Sequence, residues 1–136
     1  MKVVLTPNPY RDRNFVHVEQ AVRILEDAGI ETRVCLPFDV DKNYELPQKL
    51  PLHELSREIK NADMLICFGG DGTILHSSKI ATRHHVPILG VNMGTMGFMA
   101  ELEAGELSLL SKIASGDYRI AASFNAVSLN NSFPSL

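Results

Sequence analysis

The sequence predicts a doubly wound α/β fold, with a mostly parallel sheet and helices on both faces. Several short runs are apolar throughout rather than alternating, which is typical of strands buried on both faces. Segments with helical spacing of apolar residues separate these runs, so neighbouring strands are joined through helices and run parallel. In such sheets ligands bind beyond the carboxyl ends of the strands, in loops that lead into helices.

The first strand and first helix lie near the start of the chain. Residues 2–6, KVVLT, form a short β-branched run closed by proline, which predicts a buried strand. Apolar residues then recur at spacings of three and four over 15–28, as on one face of a helix. Asn14 is the expected N-cap of this helix, and Gly29 follows its end. We therefore expect a strand followed by a helix that packs on the sheet.

The middle of the chain continues this alternation around one irregular segment. Residues 31–36 predict a second strand, and residues 52–61 predict a short helix with one apolar face. Between them, residues 37–51 are rich in proline and acidic side chains, which excludes a regular element and predicts an exposed loop. The apolar run 63–68 predicts the next strand.

The last elements follow the same rule. Residues 73–83 have helical spacing, and residues 86–91 predict another buried strand. Residues 103–116 predict a final amphipathic helix. Two glycine-rich stretches directly follow predicted strands, so both belong to the edge of the sheet where ligands bind.

Length and composition bound the organisation of the chain. Its 136 residues fit one domain, which we place at 1–119, ahead of an atypical uncharged tail at 120–136. Serine and asparagine dominate this tail. Both a solvated segment and a strand without its partners fit such a composition.

Charge and hydropathy exclude several function classes. The net charge is -3 and no basic stripe is present, so we expect no nucleic-acid partner. No apolar run approaches the roughly 20 residues of a membrane span, so we expect no membrane association and a cytoplasmic location. Cys35 and Cys67 lie inside apolar runs, which predicts buried reduced thiols rather than a disulfide or a metal site.

The first glycine-rich stretch is FGGDGTILH, residues 68–76. Its glycines permit positive φ and leave backbone N–H groups open to a ligand, and a helix N-terminus favours phosphate. Asp71 adds a negative charge that an ordinary phosphate cradle avoids. The carboxylate either shares a divalent cation with phosphates or accepts the proton of a hydroxyl that attacks a phosphoryl group. The alternative is that Asp71 and Thr73 only cap the helix.

The second stretch is GVNMGTMGFMAE, residues 90–101. Asn92 is a candidate to hydrogen-bond a base or ribose, and Phe98 is a candidate to pack on an adenine or nicotinamide ring. On the alternative interpretation Met93 and Met96 only fill the core. Neither a P-loop nor a GxGxxG fingerprint is present in the sequence.

Together the two stretches resemble the NAD kinases. The match lies in FGGDGTILH and PILGVNMGTMGFMAEL, with the first strand and the AVRILEDAGIE helix in the expected order, and it spans about residues 1–119. A Gly-Gly-Asp-Gly-Thr loop is shared with lipid kinases and, in a related form, with phosphofructokinases. The Gly-x-Asn-x-Gly-x-x-Gly-Phe pattern separates the NAD kinases from both. The resemblance implies a Rossmann-like, phosphofructokinase-like N-terminal kinase domain that binds nucleotides.

The resemblance also implies a reaction. The γ-phosphoryl group of ATP, or of polyphosphate in some members, passes to the 2′-hydroxyl of the adenosine ribose of NAD and gives NADP, with Mg²⁺ accompanying ATP. Asp71 matches the proton acceptor, Gly72 matches backbone against the dinucleotide, and Phe98 matches an aromatic residue that lines the NAD pocket. His76 matches a position that often touches the nucleotide, with simple solvation as the alternative. We also assign three further residues to the nucleotide site: Gly70, Thr73 and Asn92.

The chain departs from the family in length. Members are roughly twice as long and carry a second, mostly β domain with an Asn-Glu or Asn-Asp pair, much of the NAD pocket and the main contact of a homo-oligomer. We find no counterpart of this domain, so we expect little or no kinase activity from the isolated chain. Two alternatives stay open: a lipid or sugar kinase domain of the same superfamily, and a nucleotide-binding module without catalysis.

Overall fold

A computed structural model of the chain describes residues 1–94, 100–121 and 125–129. Its main sheet confirms the predicted α/β class. The strands of this sheet are β1 (Lys2–Pro7), β2 (Glu31–Cys35), β3 (Leu52–His53), β4 (Met64–Gly69), β5 (Ile88–Asn92) and β6 (Leu102–Glu103). All neighbours pair in parallel, in the order β3-β2-β1-β4-β5-β6.

Helices cover both faces of this sheet. They are α1 (Val16–Asp27), α2 (Leu55–Glu58), α3 (Asp71–Arg83) and α4 (Ser111–Ala114), with 3-10 helices at Arg13–Phe15, Ile59–Asn61 and Ala104–Leu110. The central strand β4 shows why its sequence is apolar throughout. Ile66 and Phe68 join the core cluster under α1, whereas Leu65 and Cys67 join the cluster under α3. Alternate residues point to opposite faces, and both faces are covered.

The strand order creates a switch point between β1 and β4. From β1 the chain passes through α1 to β2 on one side, and from β4 it passes through α3 to β5 on the other side. Loops that leave two such neighbouring strands in opposite directions open a crevice at the carboxyl edge of the sheet. The loop after β1 and the glycine stretch after β4 therefore face one another.

The start of α1 differs from the prediction. Asn14 is not the N-cap, because it lies inside the preceding 3-10 helix with φ 58. The cap comes from Asp12, whose carboxylate accepts hydrogen bonds from the backbone N–H groups of His17 at 2.9 Å and Val18 at 2.8 Å. The predicted end is confirmed, since Gly29 follows the helix with φ +83, a conformation that favours glycine.

Two predicted helices are shorter than expected. Leu52 and His53 extend to pair with β2, so the predicted helix at 52–61 begins only at Leu55. The predicted helix at 103–116 is mostly a 3-10 helix followed by the four residues of α4. Its buried residues are spaced by three: Leu107, Leu110 and Ile113. This spacing suits 3-10 geometry, which has three residues per turn.

The loop between β2 and β3 is irregular, as predicted, but it is not simply exposed. Phe38 stacks on Tyr10 with ring centroids 6.0 Å apart, and Tyr44 meets Tyr10 edge-on at 4.7 Å. The Tyr44 hydroxyl donates to the carbonyl of Pro9. The Tyr10 hydroxyl accepts a hydrogen bond from the N–H of Asp41 at 3.1 Å. These contacts hold the loop after β1 in place beside the switch point.

The described part of the tail packs on the domain. β7 (Arg119–Ile120) and β8 (Val127–Ser128) form an antiparallel pair, and Ala126 bridges to Ile88 of β5. Val127 and Leu129 are buried in the core under α1, so the solvated-segment interpretation is wrong for these two residues. The domain boundary at 119 stays a prediction, and residues 122–124 and 130–136 lie outside the described residues.

Both cysteines are free and buried, as predicted. Burial raises the pKa of the Cys35 thiol to about 12 and also raises the pKa of the Cys67 thiol. Neither thiol is therefore ionised near neutral pH. Within the described ranges, no helix has the length and apolar character needed to cross a membrane.

Candidate active site

Three loops converge at the carboxyl edge of the sheet, after β1, β4 and β5. The backbone N–H of Asn8, which follows β1, donates to the carbonyl of Phe68 at 3.0 Å. The N–H of Met93, which follows β5, donates to the carbonyl of Gly69 at 3.1 Å. Both flanking loops are thus held against the end of β4, where the first glycine stretch begins.

Asp71 is the first residue of α3, so this helix begins two residues before the predicted start at Thr73. Gly70 is the N-cap, with the extended angles φ -87 and ψ -177, and no side-chain hydrogen bond caps the helix there. The alternative in which Asp71 and Thr73 act only as caps stays open. The Asp71 carboxylate lies in the first turn of the helix, where backbone N–H groups lack helical partners and negative charge is favoured.

The glycines of this stretch matter because they have no side chain, and not because they adopt positive φ. Among the described glycines only Gly29 and Gly116 have positive φ, so Gly69, Gly70 and Gly72 do not use the positive φ that glycine permits. Around Gly70 and Gly72, apart from chain neighbours and the backbone of the helix itself, no atom of the described residues lies within 4 Å of the point that a β-carbon would occupy. The backbone of both residues is therefore open to a close ligand, as predicted from the absence of a side chain.

Thr73 contacts a residue that the sequence patterns did not single out. Its Oγ1 accepts a hydrogen bond from Nδ2 of Asn8 at 3.3 Å. Asn8 is buried, and its Oδ1 accepts the N–H of Tyr10 at 3.0 Å. Asn8 thus joins the loop after β1 to the first turn of α3. A signal existed, since Asn8 directly follows the first strand and so lies at the ligand-binding edge.

Asn92 is the last residue of β5, opposite Gly69 in the register of the sheet. Its side chain is 4% exposed. Nδ2 donates to a carboxylate oxygen of Glu103 at 3.0 Å, and Oδ1 accepts the N–H of Gly94 at 3.0 Å. The amide therefore fixes the start of the second glycine stretch against β6. Its predicted contact with a base or ribose stays a prediction.

The two remaining predicted site residues, His76 and Phe98, are not placed beside Asp71 by the described structure. His76 is exposed on α3, five residues after Asp71. Five residues correspond to a rotation of about 140° around an α-helix, so the helix does not place this imidazole directly beside the carboxylate. Phe98 lies outside the described residues, and its predicted role in an aromatic contact stays a prediction.

Arg11 is a second residue that the sequence patterns missed. Its Nη1 lies 3.3 Å from the point where a β-carbon of Gly94 would stand. A guanidinium therefore approaches the second glycine stretch from the loop after β1. Only the sheet order reveals this meeting, because the two segments are far apart in the sequence.

The arrangement suits proton transfer beside a phosphate. Asp71 supplies a half-buried carboxylate at the start of a 13-residue helix, next to backbone that no described side chain covers. Such a carboxylate can accept a hydroxyl proton while the neighbouring N–H groups face phosphate oxygens. In the parts of the chain that the structure describes, no three His, Cys, Asp or Glu side chains group so as to hold a metal ion.

Known proteins resemble this chain over most of its length. Residues 3–118 match the family described as ATP-NAD kinase N-terminal domain. The NAD kinase of Cutibacterium acnes is 35% identical over 122 residues, covering 87% of this chain and 37% of that protein. The NAD kinase of Corynebacterium diphtheriae is 30% identical over 123 residues, covering 88% and 39%. The NAD kinase of Heliobacterium modesticaldum is 41% identical over 71 residues, covering 52% and 25%.

The matched region contains the six-stranded sheet, apart from Lys2, and the sequences of both glycine-rich stretches. The chain spans between 25% and 39% of the length of these three relatives. The match over 3–118 and the parallel sheet agree with the resemblance seen in the two motifs. The chain belongs to the NAD kinase family, as a counterpart of its N-terminal domain.

Proposed function

We propose that the site takes part in the phosphorylation of NAD to NADP. The 2′-hydroxyl oxygen of the adenosine ribose attacks the γ-phosphorus of ATP, or a terminal phosphorus of polyphosphate. A bond from oxygen to phosphorus forms, and the bond from that phosphorus to the bridging oxygen breaks, which releases ADP or the shortened polyphosphate. Asp71 accepts the hydroxyl proton. The observation that carries this proposal is the position of Asp71 in the first turn of α3, beside the uncovered backbone of Gly70 and Gly72.

Two features of the chain favour this chemistry. The N-terminus of α3 stabilises negative charge on phosphate oxygens. Asp71 belongs to the first turn of the same helix, so a carboxylate that can accept the hydroxyl proton lies beside that phosphate position. Mg²⁺ enters as part of the ATP substrate and neutralises charge on its phosphates. The proposed nucleotide contacts are Gly70, Gly72, Thr73, His76, Asn92 and Phe98.

The rest of the proposal follows from the family. We take the NAD pocket to be shared with a second, mostly β domain, so residues 1–136 alone turn over slowly or not at all. The active enzyme is a cytoplasmic homo-oligomer that contributes to NADP biosynthesis.

A chimera tests the reaction. Residues 1–119 are joined to the part of the Cutibacterium acnes NAD kinase that follows the aligned region, and NADP formation from NAD and MgATP is measured with an NADP-specific coupling enzyme. We expect turnover that Asp71→Asn lowers at least about 1000-fold while NAD affinity is retained, because the amide keeps the shape and loses the base. Asp27→Asn, at the end of α1, is the matched control and is expected to keep full activity.

Three results would count against the proposal. The first is a folded chimera without turnover. The second is an Asp71→Asn chimera that keeps its rate. The third is NAD binding with no phosphorylated product at any donor concentration, which would favour a nucleotide-binding module without catalysis. Phosphorylation of a diacylglycerol in place of NAD would favour a lipid kinase.

A further inference from the structure

None of the site residues predicted from the sequence carries a permanent positive charge. They comprise one carboxylate, three neutral polar or aromatic side chains, two glycines and an exposed imidazole: Asp71, Thr73, Asn92, Phe98, Gly70, Gly72 and His76. A phosphoryl donor brings several negative charges, and the carboxylate adds another. Phosphoryl transfer depends on cationic groups that neutralise the charge on phosphate oxygens. In addition to the Mg²⁺ that accompanies ATP, a cationic side chain near the start of α3 would serve this purpose.

Arg11 reaches this region from the neighbouring loop. Its Nη1 and Cζ lie 3.3 Å and 3.9 Å from the point where a β-carbon of Gly94 would stand. Arg11 follows β1 and Gly94 follows β5, and these strands are separated by β4. Adjacent strands lie about 4.8 Å apart, so β1 and β5 are about 10 Å apart. The guanidinium therefore lies next to the residues that follow β5, at the edge of the sheet where β4, between β1 and β5, leads into α3.

The backbone of Arg11 is fixed by hydrogen bonds, whereas its guanidinium is exposed and can bind an anion. The backbone N–H groups of Arg11 and Asp12 both donate to the carbonyl of Asn8, at 3.0 Å and 2.8 Å. The Asn8 side chain binds Thr73, and Tyr10 is held by the aromatic contacts with Phe38. Arg11 itself is exposed, and no ion pair within the described ranges includes it.

We propose that Arg11 binds the phosphate chain of the phosphoryl donor, above the N-terminus of α3. Its planar guanidinium donates paired hydrogen bonds that match phosphate oxygens. The backbone N–H groups at the start of α3 approach the same anion from below. Gly94 leaves room for the guanidinium, because a side chain there would crowd Nη1. This role rests on the proposed kinase function only in naming the anion as the donor of the phosphoryl group.

Tripolyphosphate binding to the 136-residue chain tests the role of Arg11 without catalysis. Affinity is measured by calorimetry at low ionic strength, for the unmodified chain and for variants whose unchanged melting temperature shows that they fold. We expect Arg11→Gln to weaken binding at least about 10-fold, because a charge-assisted pair of hydrogen bonds is lost. Arg11→Lys is expected to fall between the two, since a point charge lacks the planar fork. Arg13→Gln, an exposed arginine two residues away, is the matched control and is expected to bind normally.

Further variants separate a binding role from a structural one. Asp71→Asn removes a negative charge near the bound phosphate and is expected to strengthen tripolyphosphate binding, the opposite of the effect at Arg11. Gly94→Ala is expected to weaken binding, because it displaces the guanidinium. Unchanged binding in Arg11→Gln, equal weakening in Arg13→Gln, or no binding by the unmodified chain up to about 10 mM tripolyphosphate would each overturn the proposal.

The two proposals can fail separately. If the chimera makes no NADP but tripolyphosphate binding still depends on Arg11, the kinase proposal fails and the phosphate site stands. If the chimera makes NADP and Arg11→Gln leaves its KM for ATP and its kcat unchanged, the role of Arg11 fails alone.

Discussion

The β-carbon of Thr73 lies 2.8 Å from the point that a β-carbon on Gly69 would occupy. The last residue of β4 therefore touches the first turn of α3 so closely that only a glycine fits. Since the obstructing atom belongs to the stem of Thr73, the helix itself must move to admit a side chain. We expect Gly69→Ala to lower the free energy of unfolding by about 1–3 kcal/mol, as overpacking does in a well-packed region.

Urea unfolding measures this loss. Gly105→Ala is the matched control, because nothing lies within 4 Å of its β-carbon position and its stability should stay within about 0.5 kcal/mol of the unmodified chain. The double variant Gly69→Ala, Thr73→Ser should recover part of the loss, since it removes one of the crowding atoms. Equal stability of Gly69→Ala and Gly105→Ala would contradict the close contact.

Gly72 has the opposite character, because no described neighbour crowds its β-carbon position, and in the proposed site a ligand occupies this space. It lies in the first turn of α3 with nothing within 4 Å of its β-carbon position. Gly72→Ala is expected to raise the free energy of unfolding by about 0.5–1 kcal/mol, since alanine favours the helix. The same methyl group covers backbone N–H groups, so tripolyphosphate binding should weaken. A variant that is more stable and binds tripolyphosphate normally would show that the ligand does not approach this backbone.

The fold could be predicted from the sequence because the strands are buried on both faces. An apolar run in the sequence marks each of the strands β1, β4 and β5. The glycine stretches mark where β4 and β5 end. The candidate carboxylate was singled out for a related reason. Asp71 lies two residues after the end of β4, among glycines, and its role in the site stays a prediction.

The residues that were missed depend on the order of strands, which periodicity does not contain. Asn8 and Arg11 become part of the site only because β1 lies beside β4 and β5 follows next. Nothing local to Arg11 distinguishes it from Arg13. The start of α3 was also misplaced, because glycine has a poor helix propensity and Gly72 nevertheless lies inside the helix.

The cap of α1 provides a further prediction. The Asp12 carboxylate is buried and accepts two backbone N–H groups and a contact from the His17 ring at 3.1 Å. Asp12→Ala leaves those N–H groups without a partner, so we expect a loss of about 2 kcal/mol in the free energy of unfolding. Asn14→Gly removes the side chain that the sequence pattern favoured and tolerates φ 58, so its stability should change by a few tenths of a kcal/mol. Thermal and urea unfolding distinguish the two, and a larger loss at Asn14 would restore the original assignment.

The ionisation of Glu58 makes the stability of the fold depend on pH in the acid range. Its Oε1 lies 2.7 Å from Nζ of Lys2 and 3.6 Å from Nε of Arg33, so the carboxylate joins α2 to the start of β1 and to β2. The hydrogen bond from Lys2 is the main cause that holds the pKa of Glu58 below its ordinary value of 4.5. A carboxyl whose pKa is lower in the folded chain stabilises the fold above its unfolded pKa, and this contribution disappears as pH falls through the folded value.

Glu58→Gln keeps the size of the side chain but cannot ionise. At neutral pH we expect this variant to melt at a lower temperature than the unmodified chain. As pH falls below 4.5, the difference between the two melting temperatures should shrink, because only the unmodified chain loses the ion pair. Glu26→Gln, at an exposed carboxylate near the end of α1, controls for the general effect of acid and should follow the unmodified chain at each pH. A difference between Glu58→Gln and the unmodified chain that stays constant from neutral to acid pH would mean that the Lys2 contact does not depend on the charge of Glu58.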